Sequence, residues 1–410
     1  MLQINRRLNS MGRNVTLQMN ARYTDSDSKS ISLQNAHLYL IKTLEGTDST
    51  YQTNRYNLTP SKKYSYSAQA TYSEPLWRAT FLQFSYKFTY SYSKSDRSTY
   101  DFSSYNFEGV EPGYRSWGNY LGRFDSNLED YKSENLSRFS EYKNYTHEIQ
   151  VMMRFIRQKY NLSFGAMIQP QQSKYIQDYQ GVHVDTVRNV VNISPTLDFR
   201  YNFTKQNRLR VRYRGTTSQP SISQLLNIVD DSNPLSISMG NPGLKPSFTQ
   251  SFNLFYNNSV MNHNRNFFTF ANFSTTSNSI SNKVTYNEQT GGTINRPENI
   301  NGNWNANVGV MFNCSIDSAG VWNVNTNTDL GYDNMVNYLS LDKTQGSQKN
   351  KTRRLSWNER LSLSYRNEWL EIGVDGTLSY LHAKNKLQPN SNLDTWQFSY
   401  GPSMTLTAPW

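Results

Sequence analysis

From Leu82 to Ser93 the chain alternates without a break. Leu82, Phe84, Tyr86, Phe88, Tyr90 and Tyr92 are apolar or aromatic, whereas Gln83, Ser85, Lys87, Thr89, Ser91 and Ser93 are polar. A strand turns successive side chains to opposite faces, so this segment has one greasy face and one wet face. Val191, Ile193, Pro195, Leu197, Phe199, Tyr201 and Phe203 repeat the rhythm against Asn192, Ser194, Thr196, Asp198, Arg200 and Asn202. Leu370, Ile372, Val374, Leu378 and Tyr380 do so against Glu371, Asp375, Thr377 and Ser379. Read this way, the sequence predicts about fifteen strands. They lie at residues 2–8, 14–23, 63–73, 77–93, 145–157, 160–169, 190–203, 208–216, 251–257, 265–274, 303–314, 321–332, 354–366, 369–381 and 395–408.

The connections sort into two kinds. Short ones fall at 9–13, 74–76, 158–159, 204–207, 258–264, 315–320 and 367–368, and long polar ones at 24–62, 94–144, 170–189, 217–250, 275–302, 333–353 and 382–394. Strict alternation of short and long is expected when every strand crosses a membrane, with short turns on one side and long loops on the other. A soluble β protein has no reason to sort its hairpins by side and rarely carries repeated loops of this length. Tyr64, Tyr72, Tyr160, Trp304, Trp322 and Tyr380 stand at row ends, where aromatic rings suit the two membrane interfaces. Glu359 on the apolar parity and Pro195 inside a strand predict a bulge or a shifted register at those points.

Composition agrees with a barrel. Only 36% of the 410 residues are hydrophobic and mean hydropathy is −0.76, yet there are 29 Tyr, 20 Phe and 8 Trp. That is too polar for well-filled soluble cores and too aromatic for disorder; a barrel strand gives only every second residue to lipid. No apolar run is long enough for a spanning helix. Residues 1–7, Met1-Leu2-Gln3-Ile4-Asn5-Arg6-Arg7, hold no apolar signal-peptide core. The net charge of +11 is scattered rather than gathered on one element, which excludes a nucleic-acid footprint. Cys314 continues the row Trp304, Ala306, Val308, Val310, Phe312 and reads as a small apolar strand residue.

Catalytic and metal chemistry is not indicated. His37, His147, His183, His263 and His382 are dispersed and lack metal-ligand spacing. Phosphate-loop, dinucleotide and nucleophile-elbow motifs are missing. The acidic pairs Glu129-Asp130 and Asp230-Asp231 have no second carboxylate assigned across a cleft. The chain is therefore expected not to be an enzyme and to need no cofactor. Ligand recognition, if carried here, is expected in the loop 94–144, with Tyr100, Phe102, Tyr105, Tyr114 and Trp117 as candidate ligand-binding residues amid polar neighbours. Such faces suit sugars, peptides or planar chelates; the alternative is that these rings pack the loop itself.

One stretch is sharper than composition. Arg214-Gly215-Thr216-Thr217-Ser218-Gln219-Pro220-Ser221-Ile222-Ser223-Gln224-Leu225, then Asn233-Pro234-Leu235, lead to Gly240-Asn241-Pro242-Gly243-Leu244-Lys245-Pro246. This resembles the barrel of TonB-dependent outer-membrane receptors, in the outer-membrane β-barrel protein family, as does the basic turn Arg6-Arg7-Leu8-Asn9-Ser10-Met11-Gly12-Arg13. Ser247 stands where the family usually has an acidic residue. We read Asn241, Pro242, Gly243, Leu244, Lys245 and Pro246 as a structural turn, with the prolines fixing φ and Gly243 permitting an unusual dihedral.

The resemblance implies an all-β, antiparallel transmembrane barrel of roughly 22 strands closed by a plug domain. The predicted strands fall short of that, and Pro409 would spoil the last strand's pairing. The expectation is thus a single barrel domain over residues 1–410, truncated at both ends, without plug or signal peptide, and forming an open sheet. Implied partners are outer-membrane lipid, the protein's own plug domain, a TonB-type energising protein, and an unknown small-molecule or glycan ligand, without nucleic acid. The implied function is energised uptake of a siderophore, oligosaccharide or peptide across the outer membrane. A non-transporting surface barrel acting as adhesin or scaffold is the rival reading, and a soluble β-sandwich lectin a third.

Overall fold

The computed structural model describes residues 1–42, 46, 48–104, 128–225, 229–230, 236–260, 264–286, 292–341 and 346–407. Its strands are β1 (Leu2–Arg7), β2 (Asn14–Lys42), β3 (Asp48–Trp77), β4 (Thr80–Asp101), β5 (Arg138–Ile156), β6 (Tyr160–Tyr179), β7 (Val182–Asn202), β8 (Asn207–Ser218), β9 (Val229–Asp230) and β10 (Ser236–Met239). They continue with β11 (Ser247–Val260), β12 (Arg265–Ser277), β13 (Ser279–Tyr286), β14 (Thr293–Ile300), β15 (Asn303–Ser315), β16 (Trp322–Ser340), β17 (Ser347–Arg366), β18 (Leu370–Asn385) and β19 (Leu393–Leu406). Fifteen of them make one antiparallel sheet in chain order, with β9, β10, β13 and β14 set apart in a second. Among the described residues β1 pairs only with β2 and β19 only with β18, so the sheet is open, as expected. Residues 408–410, including Pro409, lie outside the described residues.

Alternation along each strand becomes two continuous surfaces because the register keeps like with like. Leu17, Ala70, Tyr86, Ile149 and Ile168 follow one another across β2 to β6, and Leu254, Ala271, Val308, Leu330 and Trp357 across β11 to β17. The burial pattern is the reverse of a soluble protein's. Val191, Ile193, Leu330 and Leu361 are exposed, while Ser85, Thr146, Gln177, Asn192 and Ser194 are buried. Apolar side chains stand outward where lipid replaces water, and polar ones crowd inward. No helix among the described residues is long and apolar enough to cross a membrane; the crossing is made by strands. Aromatic belts bound the apolar zone. On the loop side Tyr64 stacks on Tyr92 at 4.7 Å, Trp304 on Tyr332 at 5.2 Å, and Tyr380 packs on Trp396 at 4.2 Å. On the turn side Trp322 meets Tyr365 at 5.0 Å and Tyr201 meets Phe203 at 4.7 Å.

All fifteen predicted strands appear in the large sheet, but the long connections need correcting. The ladder between β2 and β3 runs on to Leu38 and Ser49, and β6 turns into β7 at Gln180 and Gly181 alone, with φ of 52° and 71°. Residues 333–353 are likewise mostly strand, and 382–394 holds the end of β18 and the start of β19 around a short 3-10 turn at Pro389–Ser391. Above the belts both faces of a hairpin meet water, so a segment such as Asp25-Ser26-Asp27-Ser28-Lys29-Ser30 pairs without alternating. The turn predicted at 74–76 lies instead at Arg78 and Ala79, where Ala79 has φ 51°.

Two predicted irregularities also fall away. Pro195 sits in register opposite Ala166, and the β7–β8 ladder begins one residue later, at Thr196 and Arg214. The missing donor marks where β8 departs from β7, not a bulge. A Cβ on Gly215 would come within 2.9 Å of the Pro195 ring and 2.7 Å of Phe248, so glycine leaves room for both rings where the ladder ends. Glu359 is in register between Thr328 and Leu378 on the outward face. Its carboxylate accepts hydroxyl hydrogen bonds from Thr326 at 2.7 Å and Thr328 at 2.5 Å. Two donors from the next strand satisfy a charge that would otherwise be bare in the apolar belt.

Candidate functional site

The inward face carries the chemistry. In the β8 segment Arg208-Leu209-Arg210-Val211-Arg212-Tyr213-Arg214 every second residue is an arginine, and the strand period sends all four inward beside Arg200 of β7. Asp198 accepts from Arg210 Nε at 3.0 Å and lies 3.6 Å from Arg212 Nε, while Arg208 Nε donates to Asn202 Oδ1 at 2.9 Å. Arg200 stands directly opposite Arg210. Of these five arginines only Arg210 and Arg212 form an ion pair among the described residues, and both do so with Asp198, on a wall facing away from lipid. Two inward cations elsewhere are matched by carboxylates, Lys87 by Glu148 at 3.4 Å and Arg354 by Asp333 at 3.8 Å. The β7–β8 wall is therefore a local positive field, able to hold or pass an anionic partner.

Above the belts the excursions 219–246 and 278–302 build the four-stranded sheet. β10 runs parallel to β14, which pairs with β13, so two separate loops become one body. The Asn241 to Pro246 turn is its joint. Asn241 Oδ1 accepts from Gly243 N at 3.0 Å, and Asn241 Nδ2 donates to Pro297 O at 2.9 Å. Asn299 clamps the same turn, with Oδ1 accepting from Lys245 N at 2.7 Å and Nδ2 donating to Lys245 O at 3.0 Å and Asn278 O at 2.9 Å. Leu244 is buried beneath it. Pro242 and Pro246 spend no backbone donor in this arrangement. The expected role of Gly243 needs correction: its φ is not positive, and a Cβ there would meet Asn241 Oδ1 at 3.2 Å, so it makes room for the asparagine. Sequence reasoning missed Asn299 because its importance arises only from pairing across 54 positions.

Of the candidate aromatic residues, Tyr105, Tyr114 and Trp117 lie outside the described residues. Tyr100 and Phe102 are 4% and 0% exposed. Tyr100 stacks on Tyr56 at 5.7 Å and its hydroxyl donates to Glu129 Oε1 at 3.0 Å, while Phe102 packs on Tyr131 at 5.0 Å. Ile31, Leu58 and Leu128 complete the cluster. Tyr56 and Tyr100 share the outward parity of Tyr64 and Tyr92, so the cluster anchors the base of the loop on the outer side of the wall rather than lining the lumen. Among the described residues no group of three or more His, Cys, Asp or Glu could hold a metal ion.

Comparison with known proteins gives the following. A model of the outer membrane protein beta-barrel family matches residues 6–403. No curated protein matches. Among solved structures, the ferric-catecholate import receptor Fiu from E. coli K12 is similar at 9% identity and TM-score 0.46, covering 92% of this chain and 58% of that one. The pyoverdine receptor FpvA from Pseudomonas aeruginosa PAO1 is similar at 10% identity and TM-score 0.47, covering 98% and 60%. The siderophore receptor PirA from Acinetobacter baumannii is similar at 12% identity and TM-score 0.40, covering 96% and 65%. The chain thus spans 58 to 65% of the length of these three receptors.

Proposed function

Since the chain belongs to the outer membrane protein β-barrel family and resides in the outer membrane, we propose that it forms the barrel wall of a TonB-dependent receptor for energised uptake of a scarce nutrient. The observation that carries the reading is the lumen wall. Fifteen strands in one open sheet belong to a barrel too wide to be filled by its own side chains, and at about 22 strands such a lumen is plugged. The inward face is mostly polar and carries surplus arginine on β7 and β8, which suits a plug surface or an anionic solute passing it.

In this reading the barrel spans the membrane, houses a plug domain and displays the two-loop sheet and the hairpins beyond the belts. A TonB-type inner-membrane partner supplies the energy, and a siderophore, oligosaccharide or peptide is the cargo. The wall itself carries out no covalent chemistry.

Uptake by cells expressing the protein, measured with and without the energising partner, tests the reading. Partner-dependent accumulation is the expected result. Accumulation indifferent to the partner, or surface adhesion without accumulation, would overturn it in favour of a passive surface barrel.

A further inference from the structure

We propose that Lys349, Lys351 and Arg353 of β17, with Lys384 of β18 and Lys386 just beyond it, form a binding site for the phosphate groups of anionic lipid headgroups, on the outward face above the loop-side belt. The site depends on the barrel's place in the outer membrane and not on what the barrel transports. On β17 the outward parity of Trp357 and Leu355 continues through Arg353, Lys351 and Lys349, and on β18 that of Tyr380 and His382 continues through Lys384. Lys386 follows, its N–H donating to Lys351 O at 3.0 Å.

Arg353 stands directly opposite Lys384. Like charges facing each other across an antiparallel pair destabilise it, so the arrangement calls for a counter-charge. Among the described residues none of the five cations forms an ion pair, and the carboxylates around them are engaged elsewhere. Asp394 lies 3.8 Å from His382, Glu298 holds Lys283 at 3.5 Å, and Asp333 sits on the inward face with Arg354 at 3.8 Å. Outward lysines of β5 and β6 are placed differently: Lys143 meets Glu141 at 2.5 Å and Lys174 meets Asp185 at 3.2 Å. The patch on β17 and β18 is thus complementary to an external anion.

Height and direction select a lipid over a solute in the lumen. Trp357 packs on Trp396 at 6.2 Å and Tyr380 packs on it at 4.2 Å, which marks the belt here. Arg353 and Lys384 lie four positions beyond Trp357 and Tyr380, about 10 Å higher at a rise of about 3.3 Å and a tilt of about 40°. Headgroups fill roughly 5–8 Å outside the hydrocarbon, and long Lys and Arg stems reach back to them. Arg353, Lys384 and Lys386 are exposed. A guanidinium grips a phosphate through two parallel hydrogen bonds, and the lysines flank it as point charges. A cluster of this size beside a membrane surface is the signature of anionic-lipid recognition.

The test uses the protein purified from outer membranes in neutral detergent, titrated with fluorescent diphosphorylated lipid A in mixed micelles and read by anisotropy. Saturable binding is expected, falling with added salt and weakened about 25-fold by R353Q/K384Q or by K351Q/K386Q, about fivefold for each cation lost. R353K should bind close to wild type, and R354Q, one residue away but inward, should change nothing. Heat-modifiable mobility on gels identifies folded variants; the two double variants share no residue, so failure of one to fold leaves the other as the test. Equally tight binding of lipid A stripped of its phosphates, or a folded double variant that binds as wild type, overturns the site. Displacement of the lipid by millimolar inorganic phosphate would assign the cations to free phosphate and overturn the lipid as occupant.

Discussion

Val308 offers a direct test of which surface faces lipid. It lies on β15 four positions from the belt residue Trp304. At a rise of about 3.3 Å and a tilt of about 40°, that puts it roughly 10 Å inside the loop-side boundary, near the middle of an apolar band about 25 Å tall. Its neighbours across the ladder are Ala271 and Leu330, and it is 42% exposed. Val308→Arg should therefore cost about 2–4 kcal/mol, against about 0–1 kcal/mol for Trp304→Arg at the boundary. Asn307→Arg, one residue away but inward opposite Asn272 and Gly331, should cost under about 1 kcal/mol because the charge meets water. In folding equilibrium the Val308 variant should shift roughly 30- to 900-fold. Guanidinium titration of the protein folded into lipid vesicles, followed by tryptophan fluorescence, measures all three. Equal costs at 307 and 308, or a cost at 304 matching that at 308, would refute the assignment of faces.

Further expectations follow from single contacts. Asn299→Ala removes three hydrogen bonds and should raise hydrogen exchange across residues 236–246 and 279–300 while leaving the β2–β8 ladders protected. T326V/T328V strips Glu359 of both hydroxyl donors and should destabilise by about 1–3 kcal/mol; adding Glu359→Leu should recover most of the loss, read in the same vesicle titration. Asp317, in the turn between β15 and β16, accepts backbone N–H groups from Trp322 at 2.6 Å and Val321 at 3.1 Å, which lower its carboxyl pKa. Its stabilising contribution is present above the ordinary carboxylate range and lost as pH falls through the lowered value. D317N should flatten that acid limb of an unfolding-versus-pH curve.

The spanning part of the fold was legible because lipid enforces it. Where one face meets lipid and the other water, a one-residue slip is forbidden, so the alternation from Leu82 to Tyr92 and from Val191 to Phe203 locates strand, face and register at once. Turns on the short side are tied to those rows and were found within a few residues. Beyond Tyr23 and Tyr64 the constraint ends. Ser26 and Ser61 pair there through a 2.8 Å hydroxyl contact, and polar residues on both faces give no period to read. Extended hairpins such as β2–β3 and β6–β7 were accordingly mistaken for loops.

Site legibility failed for a different reason, which also shows where to look in such walls. Aromatic residues stand out in a polar loop, but prominence in sequence is also the mark of residues that must be buried. Phe102 and Tyr100 hold down the loop base with Tyr56 and Tyr131. The charged side chains of the inward face were unremarkable in sequence. Lys87 and Glu148 pair only because the β4–β5 ladder sets them opposite each other. The Arg208 to Arg214 row shows the intermediate case, since its period was readable in one strand, while the surplus over Asp198 depends on Arg200 arriving from β7. A local period betrays which way a residue points. Whether its charge is compensated depends on the neighbouring strand, so inward charges on this wall have to be judged in cross-strand pairs.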